Sequence, residues 1–249
     1  MKMKSANNFD LSYIDYDSEL AEYFGTTIEE VREMKGKSKF KEEWKEKVTS
    51  VEDANRLYVE TKANLLRQMR PNEKRIVLYR RILKNILKTQ VNRSIWEFSG
   101  KMLSSYSKNR VLDYGCGIGD IGLILTMLGY DVDLLEIDGS ELEKFIRWRF
   151  DKKYLPYNFI PYGEELKSDC YDIVVCIDVL EHHEKPRQAL TDMHKSLKAG
   201  GYLFLQYGWH ERKEYKELGD LRAREEFIDP FLREKFIQND RHWFWFIKK

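Results

Sequence analysis

At 249 residues the chain is long enough for one full core plus an appendage, or for two small domains. Its 43 Lys+Arg and 42 Asp+Glu nearly cancel, so net charge singles out no polyanionic partner. No run of 18 apolar residues exists, and the Met1-Lys2-Met3-Lys4 start leads into polar residues rather than an apolar signal core; a cytoplasmic protein that uses no membrane is expected. Three cysteines, Cys116, Cys170 and Cys176, are odd in number and lack metal spacing, so reduced structural thiols are expected.

The first 107 residues read as helical. Thr27 and Glu30 have capping-box spacing, and Ser50 can cap a helix that runs to Arg70 and stops at Pro71. Ile76, Tyr79, Ile82, Leu83, Ile86 and Leu87 recur at three and four residues, giving one apolar helical face. This region, 1–107, is expected to form a cap or substrate-binding element beside a second domain, 108–249. Charge is uneven here: residues 67–110 carry twelve Lys/Arg against Glu73 and Glu97, a local net of +10. That stretch is either a solvated face with acidic neighbours or a surface for an anionic substrate, nucleic acid or acidic lipid. Tyr79 and Trp96 stand at core-like spacing and do not argue base stacking.

From residue 108 the pattern alternates between strand and helix. Strands are predicted near 109–114, 131–137, 157–161, 171–177 and 201–207, and helices near 119–128, 140–153 and 186–197. Ile173-Val174-Val175-Cys176-Ile177 is continuously apolar, as in a parallel strand covered on both faces. After Tyr207, Lys213–Arg224 suits a helix and His242–Ile247 a terminal strand. Phe231–Gln238 reads either as helix or, with a turn at Asn239-Asp240, as the first arm of a terminal hairpin.

The most informative stretch is Val111-Leu112-Asp113-Tyr114-Gly115-Cys116-Gly117-Ile118-Gly119-Asp120-Ile121-Gly122: a strand, a glycine turn, a helix start. Glycine permits positive φ and close approach of backbone to a ligand. Gly117-x-Gly119-x-x-Gly122 fits a dinucleotide fingerprint, with Glu136 or Asp138 as ribose acceptor. The alternative register, Asp113-x-Gly115-x-Gly117-x-Gly119, sets a carboxylate at the strand end. A pyrophosphate would be repelled there, whereas a ligand bearing an ammonium and a sulfonium, such as S-adenosylmethionine, would be attracted.

On these residues the sequence resembles the class I (Rossmann-like) methyltransferases. Three further blocks share the likeness: Leu135-Glu136-Ile137-Asp138-Gly139-Ser140, Tyr171–His182 and Leu197–Leu205. Together the blocks cover roughly 108–208 and most resemble small-molecule enzymes of the ubiquinone-biosynthesis O-methyltransferase type. The resemblance implies an α/β doubly wound, mostly parallel sheet with a helical N-terminal extension, S-adenosyl-L-methionine as cofactor, and methyl transfer to an O or N atom of a small-molecule acceptor. Methylation of RNA through the basic 67–110 surface, and a non-catalytic module that binds S-adenosylmethionine, stay open as alternatives. It also implies site roles. Gly115, Cys116, Gly117 and Gly119 offer backbone to the cofactor's methionine part, and Asp113 balances its charge or orders the turn. Asp138, with Glu136 beside it, accepts from the ribose; Glu164 contacts the adenine amine; Asp178 lies at the amino end.

Asp178-Val179-Leu180-Glu181-His182-His183 follows a strand end on the acceptor side, which suits His182 as general base. The same block resembles the Glu-x-x-Glu-His metal cluster of some ubiquinone-pathway and RNA 3′-end methyltransferases, with Asp178 in place of the first Glu. Leu-Glu-His also occurs in metal-independent relatives, and no metal is assigned. His194 and His210 carry no motif.

Overall fold

The structure is a computed structural model that describes residues 14–37, 62–69, 73–98, 109–180, 183, 185–207, 228–239 and 244–249. These fall into two compact units, one within residues 1–38 and 66–108 and the other within 39–65 and 109–249. No described helix is long and apolar enough to cross a membrane.

In the first unit, α1 (Tyr16–Phe24) begins where the Asp15 carboxylate accepts from Ser18 N at 3.1 Å, and ends at Gly25 with φ +64°. Helix α2 (Ile28–Lys37) opens on a reciprocal capping box: Thr27 N donates to Glu30 at 2.9 Å and Glu30 N donates to Thr27 Oγ1 at 3.2 Å. Lys35 joins three elements, donating to Asp17 of α1 at 2.6 Å and to the Met69 carbonyl, just past α3 (Lys62–Gln68), at 2.9 Å. Helix α4 (Glu73–Phe98) buries Ile82, Leu83 and Ile86, the centre of the apolar stripe. Val77, Arg80, Arg81, Lys84 and Lys88 form the exposed face of the same helix.

The second unit is built on a seven-stranded sheet in the order β3-β2-β1-β4-β5-β7-β6. The strands are β1 (Arg110–Tyr114), β2 (Asp131–Glu136), β3 (Asn158–Pro161), β4 (Tyr171–Ile177), β5 (Leu197–Gln206), β6 (Phe236–Gln238) and β7 (Trp245–Lys248). The first five are parallel, while β7 runs antiparallel to β5 and β6 antiparallel to β7. Helices α5 (Asp120–Met127), α6 (Glu141–Lys152) and α7 (Pro186–Ser196) make the crossovers that parallel pairing requires. The β3-to-β4 connection has no helix: Leu166 and Cys170 pack against the core in its place.

The elements predicted for 108–207 are present with ends shifted by at most one or two residues, apart from β5, and the terminal strand starts at Trp245 rather than His242. Strand β5 starts at Leu197, because Leu197 pairs with Tyr171 before a register break resumes at Tyr202–Ile173. Gly200 and Gly201 are therefore an irregularity inside the strand. Phe231–Gln238 divides: α8 (Asp229–Lys235) ends and β6 begins at Phe236, whose ring joins the core while Asn239 N bonds the Trp245 carbonyl. Lys213–Arg224 and Asp240–Trp243 lie outside the described residues, as does the expected helix start at Ser50.

Leu112, Val174, Leu203, Leu190 and Met193 fill one side of the sheet, all fully buried. On the other side Gly122 permits α5 to sit against β2, because a Cβ there would collide with Leu134. At the opposite end of the strands Asp133 accepts from Arg110 at 2.8 Å and from Tyr171 Oη at 2.6 Å, stitching β1, β2 and β4 together.

Candidate functional site

Strand order reverses between β1 and β4, the point where an open α/β sheet leaves a crevice beyond its carboxyl ends. The glycine turn stands there. Gly115 N and Cys116 N both donate to the Leu135 carbonyl of β2, at 2.9 and 3.0 Å, which folds the turn across the neighbouring strand end. Gly115 has φ +68°, and a Cβ would lie 2.5 Å from Val179 of the loop after β4. Only glycine meets both demands.

Helix α5 starts from Gly119 at φ +74°, a residue with no side chain to cap it. Asp113 supplies the cap from the strand: its Oδ2 accepts from Gly122 N, in the first turn, at 2.9 Å. Of the two roles expected for Asp113, the contact seen is the ordering one. Glu136 closes the turn from the other side, accepting from Gly117 N at 2.7 Å and from Ile137 N at 3.0 Å. The two carboxyl residues are only 5% and 4% exposed. Burial pushes each up to about 7, and Asp113 feels Asp120 and Glu136 as well. Burial also raises the Cys116 thiol well above its ordinary value, which keeps it protonated.

Arg149 is the site residue that the sequence reading passed over. It is fully buried, and its Nη1 donates to the Ile118 carbonyl at 2.8 Å and to Asp120 Oδ1 at 2.7 Å, fixing the turn from α6. A signal existed. Arg149 falls on the apolar face of its helix, in register with Leu142, Phe145, Ile146 and Phe150, where a long cation needs a partner.

Asp138 is exposed two residues past β2, with Gly139 N held by Glu143 at 2.7 Å and Ser140 capping α6 through Glu143 N at 3.0 Å. Glu164 is exposed in the turn after β3. Asp178 is exposed just past β4 at φ +54°, uncommon for a residue with a Cβ, while its N donates to the Gln206 carbonyl of β5 at 2.9 Å. Gly115, Glu136, Asp138 and Asp178 thus share the carboxyl edge of the sheet. His182, expected as the base, and Glu181 lie outside the described residues. Among the described residues no three His, Cys, Asp or Glu side chains converge as a metal site.

His183 is described and occupies a defined place. Its Nδ1 accepts from Lys185 N at 3.0 Å, so the neutral ring carries its hydrogen on Nε2 and donates it to Tyr114 Oη, 3.2 Å away. The Tyr162 ring meets it edge-on, with centroids 5.2 Å apart. Burial lowers His183 to about 4, so this imidazole stays uncharged near neutral pH. Three strand ends are pinned together by this cluster. His194 is half-buried, set edge-on to Phe231 and Phe236.

A model of the methyltransferase domain matches residues 62–240. The ubiquinone biosynthesis O-methyltransferase of Rickettsia conorii is 31% identical over 117 residues, covering 46% of this chain and 40% of that protein. Its counterpart in Rickettsia typhi is 31% identical over 111 residues, 44% of this chain and 45% of that one. The chain therefore spans less than half the length of these relatives. Among solved structures, DszA carbon methyltransferase aligns with a TM-score of 0.47 at 16% identity, over 62% of this chain and 41% of that one. With the family model running through the greater part of its length and a sheet wound in both directions from β1, this chain belongs to the methyltransferase-domain family as a class I, Rossmann-like member.

Proposed function

We propose that the chain binds S-adenosylmethionine at the carboxyl edge of β1, β2 and β4 and transfers its methyl group to an O or N atom of a small, anionic or phosphorylated acceptor. One observation carries the choice of cofactor. The Gly117 N–H, where a dinucleotide's pyrophosphate would bind, already donates to the Glu136 carboxylate at 2.7 Å. A phosphate brought there would face Glu136 and the buried Asp113, whereas a sulfonium ligand supplies the charge they lack. The residues fit the group: glycine backbone for its methionine part, Asp138 for its ribose hydroxyls, Glu164 for its adenine amine and Asp178 at its amino end.

Methyl transfer from a sulfonium is an in-line displacement with a good leaving group. The chain's work is alignment and exclusion of water, with proton removal when the acceptor is a hydroxyl. His182 is the base proposed for that step. The family match and the likeness to O-methyltransferases support the reaction class. The acceptor's charge is inferred from composition, the net charge of +10 over residues 67–110, which include the exposed stripe Arg80, Arg81, Lys84 and Lys88 of α4. That stripe also favours a second reading, methylation of RNA, in which binding would weaken steeply with added salt.

Calorimetric titration with S-adenosylmethionine, S-adenosylhomocysteine and NAD(H) tests the cofactor. Micromolar binding of the first two, weakened at least tenfold or so in Asp138→Ala with an unchanged melting temperature, is the expected result. Binding of NAD(H) alone would refute the reading.

A further inference from the structure

The charges around the glycine turn do not balance. Asp113 comes from β1 and Glu136 from β2, both buried, and among the described residues each is bound by backbone N–H groups alone: Gly122 for the first, Gly117 and Ile137 for the second. No cation among the described residues forms an ion pair with either. The basic residues of the adjacent helix α6 are committed elsewhere: Arg149 to Asp120 at 2.7 Å, Arg147 to Glu143 at 2.7 Å, Lys144 to Glu141 at 3.5 Å, and Lys152 over the Trp148 ring at 5.2 Å. Helix α5 contains no basic residue, and Arg110 of β1 is taken by Asp133 at the far end of the strand. The other ionisable groups near the pair are acids or thiols: Asp120, held by Arg149, and Cys116. Two buried anions that hold the same turn cost several kcal/mol apiece unless a cation or a proton neutralises them.

We propose that the Asp113–Glu136 pair distinguishes cofactor from spent cofactor by charge: it binds the sulfonium form as an ionised pair and takes up a proton when the ligand's sulfur is neutral. The inference rests on the cofactor reading above. In the ligand-free protein the two carboxyls together hold about one proton at pH 7, because burial pushes each up to about 7. Loading the sulfonium form drives that proton to solvent. Methyl transfer would break the carbon–sulfur bond, leave its electron pair on sulfur and form the new bond to the acceptor's O or N, whose proton leaves through the base to solvent. The pair then faces a neutral thioether and regains a proton from solvent, which weakens the hold on the product relative to fresh cofactor. Asp113 and Glu136 thereby act as specificity residues for the cofactor's charge, beyond the N–H groups they hold.

The test is calorimetry of the full chain with S-adenosylmethionine and with S-adenosylhomocysteine, each at pH 7 in phosphate and in Tris, whose ionisation enthalpies differ. The expected result is release of a sizeable fraction of a proton with the sulfonium ligand and little with the thioether. Across pH 6 to 8 the Kd for the sulfonium ligand should fall by up to about tenfold, one pH unit of linkage, while the thioether Kd changes less than about twofold. Glu136→Gln, which keeps the shape and removes the titration, should abolish the difference between ligands. Equal proton release for the two ligands, or none, overturns the proposal and leaves the cofactor reading intact. Failure of both ligands to bind overturns the cofactor reading, and this inference with it. The wild-type comparison decides the matter even where the variant does not fold.

Discussion

At the residue scale the glycine turn is governed by two short-range demands, a positive φ and the absence of a Cβ. At Gly115 both apply, with Val179 2.5 Å from where a Cβ would sit. Gly115→Ala should therefore cost about 1–3 kcal/mol, from left-handed strain together with overpacking. A double-mutant cycle in urea separates the two: Val179→Ala should recover the steric share and leave the backbone share, about 1 kcal/mol. The glycines, the acid ending β1 and the acid beyond β2 were legible in the sequence because chain-local spacing sets their positions. What Glu136 does was not. Its carboxylate reaches back 19 residues to Gly117, and which N–H a side chain caps across strands is a tertiary fact.

At the element scale, the strand and helix periods gave most boundaries between residues 109 and 207 to within one or two residues, since burial on one or both faces repeats with the geometry of the element. The departures occurred where pairing overrides local pattern: β5 beginning before its glycines, and Phe231–Gln238 dividing between a helix and a strand paired with β7. Arg149 shows the same limit on a helix, being an ordinary position by propensity and a buried tie between α6 and the turn in the fold. Arg149→Ala leaves Asp120 buried without its cation and should destabilise by about 3–5 kcal/mol in urea unfolding. Pairing Asp120→Asn with Arg149→Met should recover much of that loss, because the penalty belongs to the stranded charge more than to the lost contact.

At the scale of the whole molecule, the buried groups set an unusual pH dependence. Asp113 and Glu136 lie at about 7, while unfolded carboxyls titrate near 4, so between those values the folded state holds more protons. Unfolding stability must then fall as pH rises from about 4 through 7, the reverse of ordinary acid denaturation. His183 acts in the opposite sense: lowered to about 4, it loses stability as pH drops from about 6.5 towards 4. Between pH 6.5 and 8 the carboxyl pair outweighs the small opposing tail of His183, whose unfolded form is still partly protonated near pH 6.5. The melting temperature of the ligand-free protein should fall by a few degrees over that range, read by thermal denaturation, on the scale of about 1 kcal/mol per several degrees. Glu136→Gln should flatten the slope.

The sequence by itself determined the order of strands and helices, the glycine turn and the family, because each depends on period, spacing or backbone freedom within a short stretch. Only the tertiary structure decided which buried charges are neutralised. Arg149 meets Asp120 across 29 residues, while Asp113 and Glu136 meet no cation among the described residues. Coulomb energy in a low-dielectric interior depends on distance in space, and chain folding sets that distance with little regard to distance along the sequence.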